Sequence, residues 1–389
     1  MKVTSLFKKT NVFFASFLLI LFYLSEGVSK YSILFADGKL DAPRVIKLLV
    51  VVILCIGLLR VSISVFKHLL LLAVSFTLGQ FFLTHGFQKE VVVSFSKFLF
   101  PILLFLYFWK FPLSKQQRQT LFKVFEWLLL FNCVLVFVGF LFELPWFSTY
   151  RTRFGYNGLL ITSATSSYVH VIALFYFLIT RKTRFFSEWK SLAVILSSFL
   201  IGTKAVYLGL FVVFIAYLFY YTHLPQKLKK IVILTALLGA VGTFYIFFFY
   251  TGFFDNLRQT EGLLSSVLSL RNDLLMEETL PFIQENWSWG NYLFGGITEM
   301  ETRSQMGVID VFYFWGLVGG ALYVYTFVKT FVTFRLTKEV LFLLISFAVI
   351  VFLAGNFFEN ASVAIYLLVL REAFLYNTKK ETANNSISP

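Results

Sequence analysis

Residues 187–222 read SEWKSLAVILSSFLIGTKAVYLGLFVVFIAYLFYYT, and the number of helices they hold decides the topology of everything that follows. A helix needs about 20 residues to cross a hydrocarbon core of about 30 Å. This stretch is too long for one ordinary crossing and too apolar for a surface element. It is either one very long helix or two short ones meeting at Gly202-Thr203-Lys204. Charge separates the two readings, because the cytoplasmic loops of membrane proteins collect Lys and Arg. With two helices, the cluster Lys227, Lys229 and Lys230, the loop holding Lys329, Arg335 and Lys338, and the tail with Lys379 and Lys380 share a side with Lys2, Lys8 and Lys9. One helix would turn all of them outward. The sequence therefore predicts a hairpin, with both termini cytoplasmic and roughly twice as many basic residues on that side as on the other.

Composition agrees with a chain built for lipid. Hydrophobic residues make up 58% and charged residues 14%, with a mean hydropathy of +0.79, whereas soluble domains carry about 25% charged residues. The net charge of +14 is explained by the positive-inside rule. It calls for no nucleic-acid partner, and the 52 Phe residues suit lipid-facing surface better than base stacking. Cys55 and Cys133 both fall inside apolar runs and read as buried small hydrophobes, not a disulfide. The first apolar run follows Lys8 and Lys9 and lacks a small-x-small cleavage site, so it reads as a retained first helix.

Outward from the hairpin, apolar runs mark spans near 11–27, 45–62, 68–85, 91–109, 121–142, 159–179, 187–203, 205–222, 231–250, 308–328, 339–356 and 361–376. The expected fold is all-α, a polytopic membrane bundle (1–376) of about twelve transmembrane helices with one large external loop. That loop, 251–307, would cap the site, with Asp273 to Gln284 as an amphipathic helix broken or kinked by Pro281. Residues 377–389 read as a disordered cytoplasmic tail. Little charge is expected inside the spans beyond Lys97, Glu126 and Glu339.

The four histidines are scattered, no Cys/His cluster has metal-ligand spacing, and no glycine loop of the phosphate-cradling kind occurs. Neither a metal nor another cofactor is expected. What stands out is basic charge on the outer side, against the general bias: Arg151, Arg153, Lys204, Arg271 and Arg303. Forked guanidiniums match diphosphate geometry, so these residues are candidates for holding a diphosphate headgroup. For each singly, snorkelling or pairing with a nearby carboxylate is the competing explanation.

Four elements in order resemble the superfamily of O-antigen polymerases (Wzy-type) and O-antigen ligases. They are Arg153-Phe-Gly155 before the polar run Thr162 to Ser167; Leu200-Ile-Gly-Thr-Lys-Ala205 on a short hairpin; Ser269-Leu-Arg-Asn272, then Trp289 and Leu293-Phe-Gly-Gly296; and Gln305-Met-Gly-Val-Ile-Asp310 leading to Gly316-Leu-Val-Gly319. The resemblance implies a metal-independent glycosyltransferase of the bacterial inner membrane. Its substrate would be an undecaprenyl-diphosphate-linked oligosaccharide, with a polysaccharide chain-length regulator as a possible further partner. Ligases carry a His shortly before the Gly-hydrophobic-hydrophobic-Gly span. None occurs here, which favours a polymerase of O-antigen or capsule repeat units over a ligase acting on lipid A-core. A flippase of the same lipid is the alternative from another class.

Transfer from a diphosphate needs cations for the leaving group and a carboxylate for the attacking hydroxyl. Glu301 and Glu299 are the candidate bases, with Asp310 next, although a carboxylate opening an apolar span is as readily a structural partner for an Arg. Trp287, Trp289 and Tyr292 are candidates for stacking on sugar rings, with interfacial anchoring as the alternative.

Overall fold

The structure is a computed structural model and describes residues 2–36, 42–59, 63–84, 90–150, 153–250 and 252–385. Sixteen α-helices account for most of these residues, and among them no strand forms beyond an isolated bridge between Ser148 and Tyr156. In chain order the helices are α1 (Lys2–Phe35), α2 (Ala42–Leu59), α3 (Ile63–Phe81), α4 (Glu90–Lys110), α5 (Lys115–Leu141) and α6 (Ser163–Arg181). There follow α7 (Trp189–Leu200), α8 (Lys204–Tyr221), α9 (Gln226–Phe249), α10 (Gly252–Leu268), α11 (Arg271–Leu274), α12 (Leu280–Asn286), α13 (Trp289–Phe294), α14 (Gly307–Phe331), α15 (Lys338–Ala354) and α16 (Ala361–Asn385).

Seven helices among the described residues are long and apolar enough to cross a membrane, lying within α1, α4, α5, α6, α8, α9 and α14. The runs expected to make up twelve spans include shorter pieces: Val45–Leu59, Phe66–Phe81 and Trp189–Leu200. The hairpin is a case in point. Its two helices form as the charge pattern requires, but α7 has 12 residues and at 1.5 Å per residue is about 18 Å long, little more than half a hydrocarbon core.

The bundle is centred on α6 and α16. Almost every residue of α6 from Thr165 to Ile179 is buried, as expected of a helix apolar on all sides. It packs against α16 and α8, while α16 also meets α4, α1 and α5. The α14 helix lies against α3, α4 and α13, and its backbone breaks helical form at Gly316. By contrast, α9 packs mainly on α10 and more lightly on α8, and none of its apolar window is buried. Cys55 and Cys133 are both free thiols.

Two expectations change. The segment 252–294 is mostly helical, four helices with a π turn at Leu275–Thr279 just ahead of Pro281. A proline removes one N–H and its ring pushes on the carbonyl four residues earlier, and the widened turn absorbs that clash. The α16 helix continues through Asn385 into the polar tail.

The span interiors also hold more charge than Lys97, Glu126 and Glu339. Glu26, Lys30, Arg118, Arg371 and Glu372 are all buried, charges that lie at the margins of apolar runs in the sequence. Most are compensated. Arg118 bonds Glu372 at 2.8 Å, and Glu126 receives Arg181 and Lys190 at 2.7 Å each and the Tyr176 hydroxyl at 2.8 Å. Lys30 donates to Asn157 Oδ1 at 2.5 Å and Gly158 O at 2.7 Å, while Glu26 accepts from Ile161 N and the Ser362 hydroxyl. These two residues, one turn apart on α1, pin the loop that leads into α6.

Candidate functional site

That loop carries Arg153, and its backbone is knitted to the tip of the α7–α8 hairpin. Tyr156 N donates to Leu200 O at 2.7 Å, and the Thr149 hydroxyl donates to Ile201 O at 3.1 Å. Gly202 makes the approach possible. Its φ of +74° suits glycine, and a Cβ there would collide with Phe154 O. The Gly202-Thr-Lys204 turn therefore brings Lys204, the first residue of α8, beside Arg153.

Three cations gather here. The Arg153 guanidinium carbon stands 3.5 Å from the Tyr150 ring centroid, 5.1 Å from that of Phe253 and 5.7 Å from that of Phe254. Among the described residues it makes neither a hydrogen bond nor an ion pair. Stacking on the rings covers the faces of the guanidinium and leaves the N–H groups at its edge available. The Lys204 ammonium shares the Phe254 ring at 4.3 Å. It donates to Ser266 O at 2.6 Å, Val267 O at 2.9 Å and Ser269 Oγ at 3.0 Å. An ammonium has three N–H groups, so Lys204 is fully engaged in holding the end of α10. Both Arg153 and Arg271 are near enough to repel it.

Arg271 follows two residues in left-handed backbone, Ser269 (φ 56°) and Leu270 (φ 65°). It donates to Leu268 O at 3.2 Å and Ala354 O at 2.9 Å, with its buried Nε unpartnered. Burial draws this guanidinium below its ordinary range, opposed by Tyr168, Tyr150 and Asp310 and reinforced by Arg153. Among the described residues no carboxylate is within ion-pair distance of Arg153, Lys204 or Arg271. Lys204 also opens a helix, where the macrodipole already places positive potential. The arrangement suits an anion with several oxygens.

Arg303 behaves differently. It donates to Asn356 Oδ1 at 2.6 Å and faces Glu359 at 3.5 Å, so its charge is met. Arg151 lies outside the described residues. Of the candidate bases, Glu299 and Glu301 are exposed, and no bond joins either side chain to the cations. Asp310 is 3% exposed. Its Oδ1 accepts from Ser304 Oγ at 2.9 Å and its Oδ2 is buried with no donor.

The aromatics divide. Trp287 is built into the protein: its Nε1 donates to Gly296 O at 2.8 Å, and its ring lies between Tyr313, Phe312 and Tyr292. Trp289 (72% exposed) and Tyr292 (46%) keep open surface. All three belong to the α12–α13 region, on the α3 side of the bundle, away from α8.

The loop between α15 and α16, residues 355–360, escaped the sequence reading. Just ahead of it, Ala354 O at the end of α15 receives Arg271; within it, Gly355 O receives the Tyr168 hydroxyl at 2.6 Å, Asn356 receives Arg303, and Asn360 Nδ2 donates to Thr165 Oγ1 at 2.9 Å. The only signal was the polar content of Gly-Asn-Phe-Phe-Glu-Asn between two apolar runs. Among the described residues no group of His, Cys, Asp and Glu could hold a metal ion. No family model, curated protein or solved structure matches the chain, which leaves its chemistry to be argued from the residues themselves.

Proposed function

We propose that the protein is a polymerase that joins undecaprenyl-diphosphate-linked oligosaccharide repeat units into a surface polysaccharide. It works at the outer face of a bacterial cytoplasmic membrane, with both termini inside, about twelve crossings, and the segment 251–307 outside over the site. The observation that carries this reading is the gathering of Arg153, Lys204 and Arg271 from three separate segments with no carboxylate paired to them. Partly buried cations without a counter-charge are costly, and a diphosphate would supply the missing charge. In the reaction, Arg153 grips phosphate oxygens through its free N–H edge while Arg271 and Lys204 supply the surrounding positive field. The charge that develops on the diphosphate as its bond to the sugar breaks is thereby stabilised. The resemblance in the four ordered sequence elements points the same way.

Carriage of the same lipid across the membrane is a second reading, favoured by the charges buried in the bundle. Most of those charges are neutralised by protein partners, which speaks for a scaffold and against a path for cargo. Arg153→Ala in a strain whose surface polymer depends on this gene tests the proposal. The expected outcome is normal protein level in the membrane and single repeat units in place of chains. Polymer of ordinary length would sink it, and lipid-linked units trapped on the cytoplasmic side would favour the transporter.

A further inference from the structure

The 355–360 loop contributes a carboxylate that the sequence did not single out. Gly355 and Asn356 take left-handed backbone (φ 61° and 53°), and Gln305 does the same opposite them (φ 57°). The Gly355 Cα faces Gln305 O so closely that a Cβ there could not be accommodated. This contact sets Glu359 beside the 303–310 segment. Its side chain is 10% exposed and stands 3.5 Å from Arg303 Nη2, and its Oε1 accepts no hydrogen bond. Arg303 spends that same Nη2 on Asn356 at 2.6 Å. Asp310 lies near enough for the two carboxylates to repel, with one oxygen bound to Ser304 and the other without a donor. Two carboxylates thus face one guanidinium, which bonds Asn356 through Nη2 and keeps a buried Nε without a partner, and neither Glu359 Oε1 nor Asp310 Oδ2 receives a hydrogen bond.

We propose that Glu359 binds the attacking sugar hydroxyl and takes its proton, an assignment that rests on the glycan-transfer reading above. Its rivals are less well placed. Glu299 and Glu301 are exposed, and Asp310 is sealed beneath Ser304. Glu359 keeps a small open surface and belongs to the loop whose first carbonyl, Gly355 O, holds Tyr168, next to the Ala354 carbonyl that holds Arg271. The acceptor oxygen attacks the anomeric carbon of the donor glycan and forms the new C–O bond. The bond from that carbon to the diphosphate oxygen breaks, its electron pair leaving with the lipid diphosphate. The hydroxyl proton passes to the Glu359 carboxylate and from there to water.

Two readouts on purified full-length protein in liposomes separate this assignment from the function it rests on: binding of undecaprenyl diphosphate, and the rate of chain extension from lipid-linked repeat units. Glu359→Gln is expected to slow extension by about 100-fold or more, the usual worth of a general base, with undecaprenyl diphosphate binding unchanged. Glu359→Ala should regain part of its rate when formate supplies a free carboxylate, which loss of a purely structural contact would not allow. Glu359→Asp should extend faster than Glu359→Gln. Extension by Glu359→Gln at the wild-type rate overturns the assignment alone, as does a Glu359→Ala protein that binds the probe normally and does not respond to formate. Wild-type protein that neither binds undecaprenyl diphosphate nor extends chains brings down the proposed function and this assignment together.

Discussion

The molecule handles charge in two opposite ways. Around Glu126 and around Glu372, buried carboxylates are met by Arg181, Lys190 and Arg118 at 2.7–2.8 Å, and the sites are closed. Around Arg153, three cations converge, and at contact distance backbone carbonyls, a hydroxyl and aromatic faces answer them, with no carboxylate paired among the described residues. Neutralised charge inside a bundle fixes helices in register, whereas an uncompensated set is stable only because it awaits a partner or is held by geometry. On the proposed function, the first set is scaffold and the second is the site.

The largest effect is expected from breaking the closed region. Glu372→Ala leaves Arg118 buried and unpaired, which costs about 3–5 kcal/mol. The purified protein should unfold at clearly lower temperature in detergent, while any surviving folded fraction extends chains at the normal rate. Arg153→Ala is next and inverts that pattern. Loss of one charge-stabilising donor costs about 10²–10³ in rate, with the thermal transition unmoved. Arg153→Lys should recover only part, because an ammonium cannot reproduce the fork. Gly202→Ala tests how the cations are brought together. A left-handed Ala costs about 1–2 kcal/mol, and the clash with Phe154 O should move Lys204 from Arg153, so stability and extension fall together. The smallest change is Leu270→Gly, which relaxes left-handed backbone beside Arg271 and should raise stability by up to about 1 kcal/mol, measured by the same melt. An Arg153→Ala protein that melts early, or a Glu372→Ala protein that is stable but inactive, would erase the distinction between the two regions.

How much of this was legible depends on the range of the interactions. The α7–α8 hairpin was readable because Lys227, Lys229 and Lys230 follow it directly and their side of the membrane depends on it. Arg153, Lys204 and Arg271 stood out because each is a charge against a local trend. The half-length of α7 was not readable, since an apolar run does not reveal where its backbone turns. The role of residues 355–360 was hidden for a different reason. The contact of Tyr168 with Gly355 joins positions 187 residues apart, and no local pattern encodes it. Trp287 was a candidate for stacking on sugar by its residue type alone, which does not show that its indole bonds Gly296 O and packs beside Tyr313. Glu301 and Glu299 were the first candidate bases. The turn at 299–304 leaves both on the surface, and among the described residues the carboxylate paired with Arg303 is Glu359.

The marginal attachment of α9 has a consequence for how this sequence can change over time. A helix that gives up none of its apolar window to the interior answers to hydrophobicity and length, not to shape. Exchanges among Leu, Ile, Val and Phe along Gln226–Ile246 should therefore accumulate almost freely, while α6 tolerates few. Saturation mutagenesis scored by polymer length would map this as a silent helix bordering a sensitive one. A chain diverged from this one would first become unrecognisable along α9, well before its cation-bearing loops drifted.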